Sequence, residues 1–183
     1  MPLRTMSKIF IPIGRARPWP VRHRVHLGFV LGTVSLWLAR PTFVSLAGGG
    51  LVAIFGLALR LWASGHLDKG REITTSGPYR WLRHPLYVGS CLLGVGVAVA
   101  ASHLLVMLLV CVYLSLTLAM AIRTEEAELR YKFGSLYDSY CGGKNSIVSR
   151  SFSFTRVRSN REYRAILGLL VVMALLVLKT KLY

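Results

Sequence analysis

Residues 85–122 read PLYVGSCLLGVGVAVAASHLLVMLLVCVYLSLTLAMAI and contain no Asp, Glu, Lys or Arg. Two apolar runs, 85–101 and 104–122, are separated only by Ser102 and His103. A helix needs about 20 apolar residues to cross the hydrocarbon core of a bilayer. Because the connection is so short, the stretch predicts two antiparallel membrane helices joined as a hairpin.

Three further apolar runs flank this hairpin, at residues 25–39, 42–63 and 165–178. The chain of 183 residues is 54% hydrophobic and has a mean hydropathy of +0.51, which is too apolar for an ordinary water-soluble domain. We therefore predict an all-α integral membrane protein with about five transmembrane helices. The first, third and fifth runs are short for independent spans.

The formal net charge of +16 raises nucleic acid as a partner. The basic residues flank apolar runs, however, so we expect membrane lipids as partners and no nucleic acid. If the basic residues 1–24 are cytoplasmic, the loops at 64–84 and 123–164 are cytoplasmic too. Those two loops hold 13 Lys or Arg and all seven acidic residues, which predicts that an active site would face the cytoplasm.

Four segments are predicted: a basic cytoplasmic arm at 1–24, a helical hairpin at 25–63, a core at 64–141, and a connector with a C-terminal apolar helix at 142–183. Pro12, Pro18 and Pro20 argue against a helix through the arm. The Ser and Arg content of the connector predicts a flexible segment that meets acidic lipid head groups. The three cysteines have no metal-ligand spacing, so no metal site is expected.

The segment before the hairpin, residues 74–89, reads TTSGPYRWLRHPLYVG. Pro85 suits the first turn of a helix, because its missing N–H would have no partner there and its φ is already helical. The unpaired N–H groups and the positive end of the helix dipole then face the interface. Generic physics favours an aromatic and basic anchor at the membrane surface, with a ligand site as the alternative.

An acidic motif, RTEEAEL at residues 123–129, ends the fourth run. Glu125 and Glu126 point about 100° apart on a helix and cannot face one neighbour together, whereas Arg123 and Glu126 share a side. The motif is either a solvated helix face or a carboxylate site for cationic or hydroxyl groups. Residues 129–140, LRYKFGSLYDSY, predict an interfacial helix followed by a turn at Gly134.

In their order and spacing, TSGPYRWLRHPLYVG, RTEEAEL and KFGSLYDSY resemble the isoprenylcysteine carboxyl methyltransferase and phospholipid N-methyltransferase superfamily of integral-membrane enzymes. The resemblance covers about residues 60–141. It implies that the core at 64–141 binds S-adenosyl-L-methionine at the cytosolic boundary, without a Rossmann fold, and that a lipophilic substrate arrives from the bilayer. By position it implies cofactor contacts from Ile73, Thr74, Tyr79, His84, Pro85, Tyr87, Gly89 and Glu125.

Arg123 and Glu126 are the catalytic candidates within this resemblance. Arg123 would orient a substrate carboxylate through a bidentate contact, and Glu126 or His84 would accept the proton of an amine. Glu125 would accept charge-assisted hydrogen bonds from the cofactor. We expect carboxyl O-methylation of a prenylated, isoprenylcysteine-like acceptor, with phospholipid N-methylation as the nearest alternative.

Two other interpretations of the function remain open. Some helical membrane reductases of the sterol type carry a similar Arg- and Pro-containing segment before a span, and these would bind NADPH. A membrane scaffold, whose Arg, Trp and Tyr residues only anchor helices, is the non-enzymatic alternative. A bacterial inner membrane or an endoplasmic reticulum membrane would suit the predicted topology.

Overall fold

The structure is a computed structural model that describes residues 19–68, 72–143 and 150–182. A 3₁₀ turn at Gly77–Arg80 precedes the third of its helices. The helices are α1 (Trp19–Leu38), α2 (Phe43–His66), α3 (Pro85–Ala101), α4 (Leu104–Phe133), α5 (Ser135–Cys141), α6 (Phe154–Ser159) and α7 (Tyr163–Leu182). These described ranges contain no β-strand, and the predicted all-α fold is therefore confirmed.

Within the described residues, five apolar helices follow the five predicted runs. Three of these described helices, α2, α4 and α7, are long and apolar enough to cross a membrane. The apolar part of α1 and the whole of α3 are shorter, in agreement with the sequence. The fifth run is longer than predicted, because the helix extends past residue 178 through the sequence KTKL. The chain is thus an integral membrane protein built from helices.

Two helix boundaries differ from the prediction. The helix α1 begins at Trp19, so the expectation of a non-helical arm up to residue 24 is wrong from Trp19 onward. Pro20 lies in the first turn of α1, where a missing N–H removes no intrahelical hydrogen bond. The rest of the predicted arm, residues 1–18, lies outside the described residues.

The helix α4 continues beyond its apolar run, through the acidic motif, to Phe133. It ends at Gly134, whose φ of +52° is in the left-handed region that glycine adopts without strain. The turn is where the sequence predicts it, but a further short helix, α5, follows it directly. The acidic motif is therefore part of a membrane helix that projects past the apolar region.

The two hairpin turns lie together at one end of the bundle. The Arg40 N–H, between α1 and α2, donates to the carbonyl of Ala101 at the end of α3 over 2.8 Å. The ammonium of Lys179, near the end of α7, donates to the carbonyls of Leu36 and Trp37 over 2.7 and 2.6 Å. The ends of α2 and α4 and the starts of α3 and α7 consequently meet at the opposite end.

Small residues bring α2 and α3 into close contact. Gly49, Ala53 and Gly56 on α2 and Gly89 and Gly96 on α3 are all buried. A Cβ built on Gly96 would lie 2.8 Å from the Cα of Ala53, so a larger side chain would force the helices apart. In lipid, such small faces permit the van der Waals packing that holds membrane helices together.

The segment 150–162 packs on the end of α2, which contradicts the predicted flexible connector over these residues. The Arg156 Nε donates to the Gly65 carbonyl over 2.7 Å. The Asn160 amide donates to the carbonyls of Ser64 and Leu67 over 3.0 and 3.2 Å. Carbonyls at the end of a helix have no intrahelical partner, and this segment supplies one. Residues 144–149 of the predicted connector lie outside the described residues.

Candidate functional site

A polar cavity of about 420 Å³ opens where α2 and α4 end and where α3 and α7 begin. Four of the predicted cofactor-binding residues, Tyr79, His84, Tyr87 and Glu125, line it together. Two motifs that are separated by a whole helical hairpin therefore meet in one cavity. The other lining residues are Arg60, Leu67, Arg83, Leu86, Ser159, Asn160, Arg161 and Glu162.

The turn before α3 is shaped by glycine and proline. Gly77 has a φ of +59°, and a Cβ built there would lie 2.6 Å from Nδ1 of His66. Glycine is therefore required for both the backbone conformation and the close contact. The 3₁₀ turn that carries Tyr79 begins at Gly77 and has Pro78 in its first turn. The helix α3 begins at Pro85, which confirms the helix start predicted from the sequence.

Tyr79 is held in an environment that keeps its phenol protonated. Burial raises the pKa of Tyr79 well above its usual value, and the Glu125 carboxylate raises it further, with smaller contributions from Tyr140, Glu162 and Tyr87. The hydroxyl of Tyr140 donates to the Tyr79 carbonyl over 3.3 Å, which ties α5 to the turn. The phenol of Tyr79 is consequently protonated at neutral pH and can donate a hydrogen bond.

The two glutamates of the acidic motif have different partners, as their 100° separation predicts. Glu125 lines the polar cavity. Glu126 Oε1 lies 3.0 Å from His84 Nε2, so the motif on α4 is joined to the residue that precedes α3. Arg123 is exposed and does not line the cavity. The carboxylate of Glu126 thus contacts His84, and the catalytic role of Arg123 stays a prediction.

Four other residues predicted to contact a cofactor do not line the cavity. Thr74 and Pro85 are buried and Ile73 is half-buried. The hydroxyl of Thr74 has no hydrogen-bond partner among the described residues, so it retains a free polar group for a ligand or water. Gly89 packs against α2, where a Cβ would lie 2.6 Å from Cγ of Arg60. Their proposed cofactor contacts stay predictions.

The sequence interpretation missed an ion pair at the cavity. Arg60 donates from Nε and Nη2 to the Glu162 carboxylate over 3.0 and 2.9 Å. Arg60 also donates from Nη1 to the hydroxyl of Ser90. A charged residue inside a predicted membrane span is by itself a signal of function, and Arg60 carries that signal within the second apolar run. Glu162 has no comparable local signal, since it lies in a polar segment.

A second, apolar cavity of about 510 Å³ lies inside the bundle. Its walls include Leu31 of α1, Val97 of α3, Leu114 of α4 and Leu169 of α7. Arg60 lines this cavity as well as the polar one. A hydrocarbon chain in the apolar cavity would therefore bring an attached head group towards the polar cavity.

The comparison with known families concerns the part of the chain that builds this arrangement. The family model described as phospholipid methyltransferase matches residues 24–136, more than half of the chain. The chain belongs to the phospholipid methyltransferase family. This family lies within the superfamily that the motifs resemble, so that prediction is confirmed. Comparisons with curated proteins and with solved structures returned no significant match.

Family membership and the long apolar helices together make the protein a membrane methyltransferase. The phospholipid methyltransferase match includes the turn before α3 and the acidic motif of α4, which both contribute to the polar cavity. The segment 150–162 and α7 lie beyond the matched residues. One wall of the polar cavity is therefore built by residues outside the part that the family model matches.

Proposed function

We propose that the protein transfers a methyl group from S-adenosyl-L-methionine to the amino head group of a membrane lipid. The observation that carries the proposal is the pair of adjoining cavities, one polar and one apolar, that share Arg60. A charged cofactor suits the first cavity and a hydrocarbon chain suits the second. The family match supports methyl transfer as the reaction.

The residues of the polar cavity fit the cofactor. When bound, S-adenosyl-L-methionine supplies an electrophilic methyl group on a sulfonium. Glu125 can accept charge-assisted hydrogen bonds from an ammonium or from ribose hydroxyls. The rings of Tyr79 and Tyr87 offer π faces to adenine or to a cation, and Arg161 offers a cation to a carboxylate. The volume is within the roughly 300–1,000 Å³ typical of small-molecule sites.

The pair formed by His84 and Glu126 suits an amine as acceptor. An ammonium must lose a proton before its nitrogen can attack a methyl group. When Glu126 is ionised, the N–H at His84 Nε2 donates a hydrogen bond to Glu126 Oε1. The lone pair on His84 Nδ1 can then accept a proton from the amine. His84 can thus act as the base while Glu126 orients the ring and stabilises the imidazolium.

Alignment supplies the rest of the catalysis. A bound chain in the apolar cavity limits how far the head group can move. The half-buried side chains of His84 and Glu126 lie at the same end of the bundle as the polar cavity. The chain's own residues therefore bind, orient and deprotonate the acceptor.

Methylation of a carboxylate, as in an isoprenylcysteine-like acceptor, is the second candidate. It is favoured by the guanidinium groups of Arg60, Arg83 and Arg161 at the cavity, because guanidinium binds carboxylates through two parallel hydrogen bonds. It would need no base. We rank it second because Arg123, the residue expected to orient the carboxylate, is exposed outside the cavity.

The proposed orientation has the polar cavity on the cytoplasmic side of a bacterial inner membrane or an endoplasmic reticulum membrane. The basic loops around the cavity support it through the positive-inside rule. The expected partners are a lipid-like or prenylated substrate and the surrounding membrane lipids, with no nucleic acid.

The test is calorimetric binding of S-adenosyl-L-methionine, S-adenosylhomocysteine and NADPH to the protein purified in detergent. We expect both methionine-derived ligands to bind and NADPH not to bind. Labelled methyl groups should then appear in ethanolamine phospholipids supplied to the protein. Binding of NADPH alone would support a reductase, and a folded protein that binds none of the three would support a scaffold.

A further inference from the structure

We propose that Arg60 binds the oxyanion of the acceptor's head group, and that Glu162 is an internal anion that occupies Arg60 until the acceptor displaces it. The proposal rests on the proposed function, because it assigns a head-group contact to the same pair of cavities. It adds a binding residue within a membrane helix and a competing residue from beyond the family-matched part of the chain.

The position of Arg60 is the first step. Arg60 lines both the polar and the apolar cavity, so the two cavities adjoin at this residue. Its Nη1 donates to the Ser90 hydroxyl and to the Leu86 carbonyl, which fixes the guanidinium against the start of α3. An amphiphile with its chain in the apolar cavity would bring its first polar group to this guanidinium.

The second step is the chemistry of the present partner. Glu162 binds Arg60 through both carboxylate oxygens, and its side chain is only 5% exposed, against 22% for Arg60. Guanidinium binds carboxylate and phosphate oxygens with the same two-donor geometry. The Glu162 carboxylate therefore presents the same pair of acceptor oxygens and the same sign of charge as an anionic head group would.

The third step concerns energetics. A buried ion pair often contributes little net stability, because desolvation offsets the attraction, whereas a buried charge without a partner is strongly unfavourable. Replacing one oxyanion by another on Arg60 keeps that charge paired. Glu162 thus keeps the charge of Arg60 paired when no acceptor is bound, and an incoming anion can take its place.

The fourth step is where Glu162 could go. It directly precedes α7, and the residue before it, Arg161, has a φ of +59°, so the backbone bends at this point. Arg83 and Arg161 line the same polar cavity as Glu162. A displaced Glu162 carboxylate would therefore find other cations at the cavity, and α7 need not move as a whole.

The experiment measures binding of hexadecyl phosphate and of hexadecyltrimethylammonium to the full chain in dodecyl maltoside, an uncharged detergent. Glu162→Gln should bind hexadecyl phosphate more tightly than the wild type, by at least about fivefold, the lower end of typical coupling between two sites. The matched control is Glu128→Gln, which makes the same charge change at an exposed position of α4. Neither substitution should change binding of the cationic amphiphile by a comparable factor.

A double variant, Arg60→Met with Glu162→Met, removes both charges and should stay folded, since apolar residues often replace buried ion pairs without loss of stability. It should lose the preference for hexadecyl phosphate over hexadecyltrimethylammonium. If Glu162→Gln binds hexadecyl phosphate no more tightly than Glu128→Gln, the exchange of anions on Arg60 is wrong. The same conclusion follows if the double variant keeps the preference for phosphate.

Binding of S-adenosyl-L-methionine, measured on each sample, separates this proposal from the proposed function. Cofactor binding with unchanged phosphate affinity in Glu162→Gln would refute the anion exchange alone. Tighter phosphate binding in Glu162→Gln, in a protein that does not bind the cofactor, would support Arg60 as an anion site and refute the methyltransferase assignment of the cavity.

Discussion

Nε2 of His84 lies 3.0 Å from Oε1 of Glu126, so a hydrogen bond joins the residue preceding α3 to α4 across 42 positions of sequence. The contact requires α4 to continue past its apolar region, because Glu126 lies four residues beyond Ile122. It also aligns an imidazole with a carboxylate at the polar cavity, which is the arrangement that a general base needs.

Substitution of His84 should reduce turnover more than cofactor binding. We expect His84→Gln to lower kcat for an amine acceptor by about 10²- to 10⁴-fold, the usual contribution of general acid–base catalysis. The dissociation constant of S-adenosyl-L-methionine, measured by calorimetry, should change far less. His103→Gln, in the hairpin turn at the other end, is the control. A large loss of cofactor affinity with normal turnover would instead make His84 a cofactor contact.

The charge of Glu125 should matter for cofactor binding. A hydrogen bond to a charged group contributes about 1.5–3 kcal/mol, so Glu125→Gln should weaken binding of S-adenosyl-L-methionine by roughly 10- to 150-fold. Glu128→Gln, on the same helix but exposed, should have little effect. Equal affinities of the two variants in calorimetry would remove Glu125 from the cofactor site.

A substitution of Arg123 tests the catalytic role predicted from the sequence against the exposed position that the residue has in the structure. Because its side chain is exposed and outside the cavity, Arg123→Lys should change kcat and stability little, within about 0.5 kcal/mol for a surface substitution. Turnover assays and thermal unfolding in detergent would measure both. A strong loss of turnover at unchanged cofactor affinity would restore the predicted contact between Arg123 and a substrate carboxylate.

The contact between α2 and α3 should tolerate no added methyl group. A Cβ on Gly49 would lie 2.8 Å from the Cα of Ala100, whereas a Cβ on the neighbouring Gly48 meets nothing within 4 Å. Gly49→Ala should therefore be less stable than Gly48→Ala by about 1–3 kcal/mol, the usual effect of overpacking. Both gain the same helix propensity, so their difference in thermal unfolding isolates the packing. Equal stabilities would mean that the two backbones are farther apart.

The raised pKa of Tyr79 predicts how alkaline pH affects stability. Burial and the Glu125 carboxylate favour the neutral phenol in the folded protein, while an unfolded tyrosine ionises near pH 10. The stabilising contribution is therefore complete below about pH 10 and is lost as the pH rises towards the folded pKa. Tyr79→Phe should lose less stability above that pH than the wild type. Parallel unfolding profiles of the two proteins would contradict the raised pKa.

The local features of the fold follow from the sequence alone. In the hydrocarbon core every backbone N–H and C=O must be paired within its own segment, so apolar runs of this length can only be helices. The start of α3 at Pro85 and the turn at Gly134 also depend on single residues. Proline fixes φ near its helical value, and glycine allows the positive φ that the turn needs. The combined motifs were enough to predict the family, and the glutamates' different partners followed from helix geometry.

Only the tertiary structure decided which side chains meet. Arg60 and Glu162 are 102 positions apart, and their contact depends on the packing of segment 150–162 against the end of α2. That packing uses hydrogen bonds to helix-end carbonyls, which carry no sequence signal because every helix has them. The sequence therefore determined the helices and the reaction family. The cavities and their ion pair arise from contacts between residues that are distant in sequence. Those contacts depend on how the helices dock and not on local composition.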